Sequence, residues 1–118
     1  MTGPHVLLIE DEHIVADALA RGLRACGATI IGPAPTVATA LLMLTTSARV
    51  DGALLDVNLR GIRAYDVADA LIARGVPFIF TTGYETSMIP ARYRDIPVVQ
   101  KPFDAEEALA ALFPRAAG

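Results

Sequence analysis

The sequence predicts a three-layer α/β domain, with five parallel strands between helices on both faces, and three observations carry that prediction. Short runs that are apolar throughout recur along the chain, as expected of strands covered on both faces rather than on one. Segments with apolar residues at three- and four-residue steps fill the gaps between them. The ends of the strands collect acids, hydroxyls and a lysine, and the rim outside the carboxyl ends is where parallel α/β sheets bind ligands.

Val6 to Ile9 forms the first strand, followed by a helix in which Ile14, Ala18, Leu19 and Leu23 recur at helical spacing and which Gly27 can end. Thr29 to Ile31 is the second strand, and Val37, Ala40, Leu41 and Leu44 mark the second helix. The third strand is Ala53 to Leu55, and the helix after it carries Val67, Ala70 and Leu71 and stops at Gly75. Phe78 to Phe80 forms the fourth strand. Between Glu85 and Asp95 the helical pattern is interrupted: Pro90 lacks a backbone donor and disfavours helix at Ile89, so the fourth helix is expected to be short and irregular. Val98 and Val99 form the last strand, and Asp104 caps the last helix, with Glu107 three residues later. Right-handed crossovers would join these units into one sheet.

Composition narrows the function. A net charge of −3, with no lysine- or arginine-rich cluster, argues against a nucleic-acid binder, which needs a basic surface to displace counterions from phosphates. No signal-type segment and no apolar run of about 20 residues points to a membrane. The lone Cys26 cannot form an intrachain disulfide or a cysteine-based zinc site, and its apolar surroundings suggest packing. At 118 residues the expectation is one domain spanning 1–118, cytoplasmic, with no output domain.

Four strand ends carry the chemistry. Glu10 and Asp11 follow the first strand, Asp56 the third, Thr81-Thr82-Gly83 the fourth and Gln100-Lys101-Pro102 the fifth. Oxygen-only ligands with this much negative charge suit a hard divalent ion, and Mg²⁺ is favoured because it needs few carboxylates and keeps several waters. A carboxylate beside Mg²⁺ can attack a phosphoryl group in line, which gives Asp56 a second role. Thr82 could donate to a phosphoryl oxygen, Lys101 could neutralise another, and Gly83 selects Thr82 over Thr81 by leaving room for close approach. Glu12 is explained by a helix-start charge alone, and His5 and His13 lack partners at metal spacing.

In this order and spacing, the acidic pair Glu10-Asp11, the aspartate of Leu-Leu-Asp-Val-Asn, Thr82-Gly83 and Lys101-Pro102-Phe103 resemble the receiver domain of bacterial two-component response regulators, over essentially the whole chain. The resemblance implies a flavodoxin-like receiver fold. It implies that Asp56 accepts a phosphoryl group from a histidine kinase or histidine phosphotransfer protein. Asp11, Asp56 and the backbone carbonyl of Asn58 would bind Mg²⁺, with Glu10 acting mainly through water. Thr82 and Lys101 would contact the phosphoryl group, Thr82 as the switch, while Asn58 and Tyr84 flank it and tune its lifetime. A monomer or weak dimer is expected, and the output is a protein-binding surface.

Three departures from the family pattern stand out. Arg60 occupies a position where many receivers have proline, which puts the shape of that loop in question. Val98 stands where many carry an aromatic that rotates inward when the threonine moves. Pro77-Phe-Ile-Phe-Thr-Thr-Gly-Tyr84 is similar to a subgroup of stand-alone receivers with a Phe-Ala-Thr-Gly-Tyr-like motif, so Tyr84 would take over the aromatic role and the segment 84–94 would reorder on phosphorylation. The alternative function is a small phosphohydrolase with Asp56 as nucleophile. Against it, Asn58 stands where a general acid would follow two residues later, and little chain remains for a substrate-enclosing cap.

Overall fold

A computed structural model describes residues 3–83 and 89–114. Five parallel strands form one sheet in the order β2-β1-β3-β6-β7, where β1 is His5–Ile9, β2 Thr29–Ala34, β3 Gly52–Asp56, β6 Phe78–Thr82 and β7 Val98–Gln100. Four α-helices accompany it: α1 His13–Ala25, α2 Val37–Thr46, α3 Tyr65–Ala73 and α4 Ala105–Leu112. The expected architecture is therefore the observed one. Among the described residues no helix is long and apolar enough to cross a membrane.

The apolar strands are explained by what covers them. Leu7, Ile9, Leu55 and Phe80 face a cluster completed by Ala40 and Leu44 of α2 and Val67, Ala68 and Leu71 of α3. Val6, Leu8, Leu54 and Ile79 alternate with them and face Leu19 and Leu23 of α1 and Ala108 and Leu112 of α4. This alternation is the two-residue side-chain period of a strand, apolar on both sides because both sides are buried. The central strand β3 is buried at all five positions.

Local signals set most of the boundaries. Gly27 and Gly75, the residues expected to end α1 and α3, have φ of 97° and 67°, a left-handed backbone that glycine adopts without steric cost. The Asp104 carboxylate accepts from the Glu107 amide at 2.8 Å, capping α4. Of the segment expected to hold an irregular fourth helix, the described part after Pro90 forms a 3-10 turn, Ala91–Tyr93. Residues 84–88, and with them Tyr84, lie outside the described residues.

Some expectations need correction. The buried stripe of α1 is Ala16, Leu19, Ala20 and Leu23, whereas Ile14 is 83% exposed and Ala18 is exposed as well. The Leu41 to Leu44 cluster, expected as core, is core only in part: Leu44 is buried and Leu41 packs partly, but Leu42 is 61% exposed. Cys26 is exposed at the end of α1 rather than packed.

An unexpected hairpin follows β3. Strands β4 (Asn58–Leu59) and β5 (Ile62–Arg63) pair antiparallel, Asn58 with Arg63 and Leu59 with Ile62. Arg60 and Gly61, the two turn residues, have φ of 53° and 81°. Positive φ at both central positions is the geometry of the type I′ turn, whose twist matches that of the paired strands. Buried Leu59 anchors the hairpin while Ile62 and Arg63 remain exposed.

Candidate functional site

The site is assembled where β1, β3, β6 and β7 end together. Asp56 is the last residue of β3, 6% exposed and in register with Thr81 of β6. Glu10, directly after β1, is 2% exposed, and its amide donates to the Ala34 carbonyl of β2 at 3.0 Å. Lys101, directly after β7, donates its amide to the Thr82 carbonyl at 2.8 Å, so the end of β6 fixes the start of the lysine. One carboxylate oxygen from each of Glu10, Asp11 and Asp56 falls within 4.8 Å of the others.

Each of these acids is oriented by a backbone amide. The Glu12 N–H donates to Glu10 Oε2 at 3.0 Å, the Asn58 N–H to Asp56 Oδ1 at 3.1 Å, and the Arg60 N–H to Asp11 Oδ2 at 2.9 Å. Asn58 and Arg60 both belong to the unexpected hairpin. The remaining oxygens of the two buried acids face Lys101, whose Nζ lies 2.9 Å from Asp56 Oδ2 and 2.6 Å from Glu10 Oε1. Both contacts are ion pairs, and the ammonium is shared between the two acids.

Electrostatics follow from this arrangement. Burial pushes the Glu10 carboxyl up to about 7, the nearby Asp56 charge adds to the rise, and Lys101 and the Glu12 amide pull the other way. For Lys101, burial disfavours the ammonium, but Glu10 and Asp56 together outweigh it and leave its pKa raised. Three carboxylates share one ammonium, so the pocket is short of positive charge.

A divalent cation fits that shortage. The donors are carboxylate oxygens alone, as hard ions such as Mg²⁺ require. Glu10 Oε1 is buried against Lys101 Nζ at 2.6 Å, so a cation would be met by the other carboxylate oxygens of the cluster. The pocket beside these acids, lined by Glu10, Asp11, His13, Pro33 and Arg60, has a volume of about 380 Å³ and opens toward solvent. A carboxylate, a lysine and a cation at one rim can bind and stabilise a phosphoryl group.

The residues singled out in the sequence fall as follows. Glu10, Asp11, Asp56 and Lys101 converge on one pocket, and Asn58 adjoins it through its amide. Thr82 is buried at the end of β6, and Thr81 is equally buried beside Asp56, where its carbonyl accepts from the Val57 amide at 3.1 Å. A Cβ at Gly83 would meet nothing within 4 Å, so the space beside Thr82 is open. Val98 is half-buried opposite Phe80.

The aromatic packed behind β6 is one that sequence reasoning missed. Tyr93, 2% exposed, stacks on Tyr65 at 5.3 Å and meets Phe80 edge-on at 5.5 Å. Its hydroxyl donates to Asp69 Oδ1 at 2.6 Å and accepts from Arg92 at 2.6 Å. Because Tyr93 lies in a single 3-10 turn, no periodicity marks it. The hairpin had a faint signal in Leu59-Arg60-Gly61-Ile62, two apolar residues around a glycine-containing pair.

No family model matches the sequence, and no curated protein matches it. Solved structures do. The chain is similar to SdrG from Sphingomonas melonis Fr1, with 42% identity over 93% of this chain and 96% of that one and a TM-score of 0.80. For the BeF3-activated conformation of SdrG from Pseudomonas melonis Fr1 the identity is 43%, over 92% of this chain and 94% of the other, at a TM-score of 0.78. The PhyR response regulator REC domain of Erythrobacter litoralis is 28% identical, over 100% of this chain and 96% of that one, with a TM-score of 0.80.

Proposed function

This chain belongs to the response regulator receiver domains, and from that footing we propose that it is a stand-alone phosphoacceptor switch that takes a phosphoryl group on Asp56 from a histidine kinase or histidine phosphotransfer protein. The observation that carries this reading is the convergence of Asp56 with Lys101, Glu10 and Asp11, the nucleophile 2.9 Å from the ammonium and the acids within 4.8 Å of one another.

The chemistry proceeds from these residues. An Asp56 carboxylate oxygen attacks the phosphorus of the donor phosphohistidine in line with the P–N bond. The P–O bond of an acyl phosphate forms as the P–N bond breaks, and the imidazole nitrogen leaves with the electron pair. Lys101 neutralises one phosphoryl oxygen, and the Thr82 hydroxyl donates to another and moves with it. Asp11, Asp56 and the Asn58 carbonyl would hold Mg²⁺, with Glu10 acting through water, and when bound the ion would supply positive charge to offset repulsion between the acids and the incoming phosphoryl group. Asn58 and Tyr84 flank the phosphoryl group and set its lifetime.

The protein acts in the cytoplasm as a monomer or weak dimer, presenting a protein-binding surface rather than turning over a substrate. Autodephosphorylation is its only hydrolysis. Asp56→Asn removes the nucleophile at nearly constant volume, and labelling by acetyl phosphate or a cognate kinase should fall to background. Persisting label would remove Asp56 as the acceptor, and multiple turnover of a small phosphate ester would instead make the protein a phosphohydrolase.

A further inference from the structure

The β4–β5 hairpin reaches back to the acidic pocket, and its turn holds a residue in the left-handed region. Arg60 is the one non-glycine among the described residues with positive φ, at 53°. A side chain in that conformation crowds its own backbone, and such strain persists only where the surroundings over-determine it. Two constraints do so here: the paired strands on either side of the turn, and the hydrogen bond of the Arg60 N–H to Asp11 Oδ2, which joins residues 49 apart in sequence. Through the Asn58 N–H, the same hairpin also holds Asp56 Oδ1.

We infer that Arg60 is a positioning residue for the cation site: its backbone amide fixes the Asp11 carboxylate so that one oxygen is presented toward Asp56 and Glu10. The inference rests on the proposed Mg²⁺-dependent function and adds a determinant outside the ligand set. Asp11 is half-exposed and, among the amides that orient the three acids, its own comes from a distant turn rather than from its neighbours. Without that amide the carboxylate would sample several rotamers, and the cation would have to order it on binding. Groups that orient a metal ligand from outside the first shell typically change affinity by 10–100-fold when removed. Proline, which many receivers have at this position, has no N–H to give and cannot adopt φ near 53°. Here the departure from the family pattern supplies the donor.

The test compares Arg60→Pro with Arg60→Gly by Mg²⁺ titration of the full chain, followed calorimetrically. Both variants lack the same side chain, but only glycine retains the amide and the left-handed turn. Arg60→Pro should bind Mg²⁺ about tenfold more weakly or worse, and Arg60→Gly should rescue binding. Equal affinity in the two variants would overturn the inference while leaving the proposed function intact; absence of Mg²⁺ binding in the wild type would overturn both. If Arg60→Pro does not fold, the amide proton of Arg60 decides the matter. In the wild type a carboxylate acceptor holds it downfield, and Asp11→Ala should return it upfield while the Asn58 amide stays in place. An unmoved Arg60 resonance would overturn the inference.

Discussion

The two sides of the acidic pocket solve the same problem by different means. On the side of β7, Lys101 places a full charge against Glu10 and Asp56, both of them buried. On the side of the hairpin, half-exposed Asp11 is held by the partial charge of the Arg60 amide. The buried acids need an ammonium because burial raises the cost of their charge, as the raised pKa of Glu10 shows. Asp11 keeps access to water and needs orientation more than neutralisation. The difference teaches that the pocket is closed and charge-compensated on one side and open on the other, so a cation has an approach past Asp11.

That contrast can be broken at its strongest point first. Lys101→Met removes the ammonium that pairs with Glu10 and Asp56 and should destabilise the Mg²⁺-free protein by about 3 kcal/mol, at the lower end for breaking a buried ion pair because Lys101 keeps some exposure. Urea unfolding measures the loss, and saturating Mg²⁺ should recover part of it; a loss below about 0.5 kcal/mol would mean that the acids are not compensated by Lys101. The open side is tested by the cation itself. Mg²⁺ at tenfold above its dissociation constant should stabilise the wild type by about 1.4 kcal/mol, and Glu10→Gln with Asp11→Asn should abolish the gain in thermal melts. A gain that survives in the double variant would put the cation elsewhere. The smallest effect belongs to the turn. Arg60→Gly relieves the positive-φ strain at some cost in chain entropy and, at saturating Mg²⁺, should raise stability by roughly 0.5–1 kcal/mol, which a shift in the urea midpoint would report.

Alkaline pH probes a third place, behind β6. The Tyr93 phenol is raised by burial first and by its hydrogen bond to Asp69 next, with Arg92 opposing. Its folded pKa therefore lies above the unfolded value near 10, the unfolded chain loses the proton first, and stability should fall as pH rises through that window. Tyr93→Phe should flatten this limb of the pH profile. An unchanged slope would show that Tyr93 does not titrate with unfolding.

Much of the site was legible in the sequence because strand ends are legible. An apolar run that stops in a polar residue fixes where a side chain meets the rim, and Glu10, Asp56 and Lys101, which the structure brings together, were each located in that way. What periodicity cannot encode is which face of an element is covered. Ile14 has correct helical spacing to Leu23 yet points to solvent, because Ala16 and Ala20 are small enough to let α1 sit close to the sheet along another stripe. Cys26 looked buried for the same reason. The hairpin escaped because its strands have two residues each, too short for any pattern, and because its turn carries arginine where asparagine or aspartate usually signals a type I′ turn. Tyr93 escaped because its partners, Tyr65, Asp69 and Phe80, come from elements that only the fold brings together.

The complete burial of β3 also has a kinetic consequence. A strand paired on both edges and covered on both faces exposes its amides to exchange with solvent only when the whole domain opens, whereas a two-residue hairpin with exposed Ile62 and Arg63 can open alone. Asp56 ends the first element and Arg60 turns the second. The Asp56 carboxylate is thus carried by the longest-lived part of the molecule, and the Arg60 amide that bonds Asp11 by one of the shortest-lived. Protection of the Leu54 and Leu55 amides should approach the global unfolding free energy, while Arg60 should exchange orders of magnitude faster. The site would then be permanent in its chemistry and renewable in its aim, re-forming the Asp11 contact many times within the lifetime of a single fold.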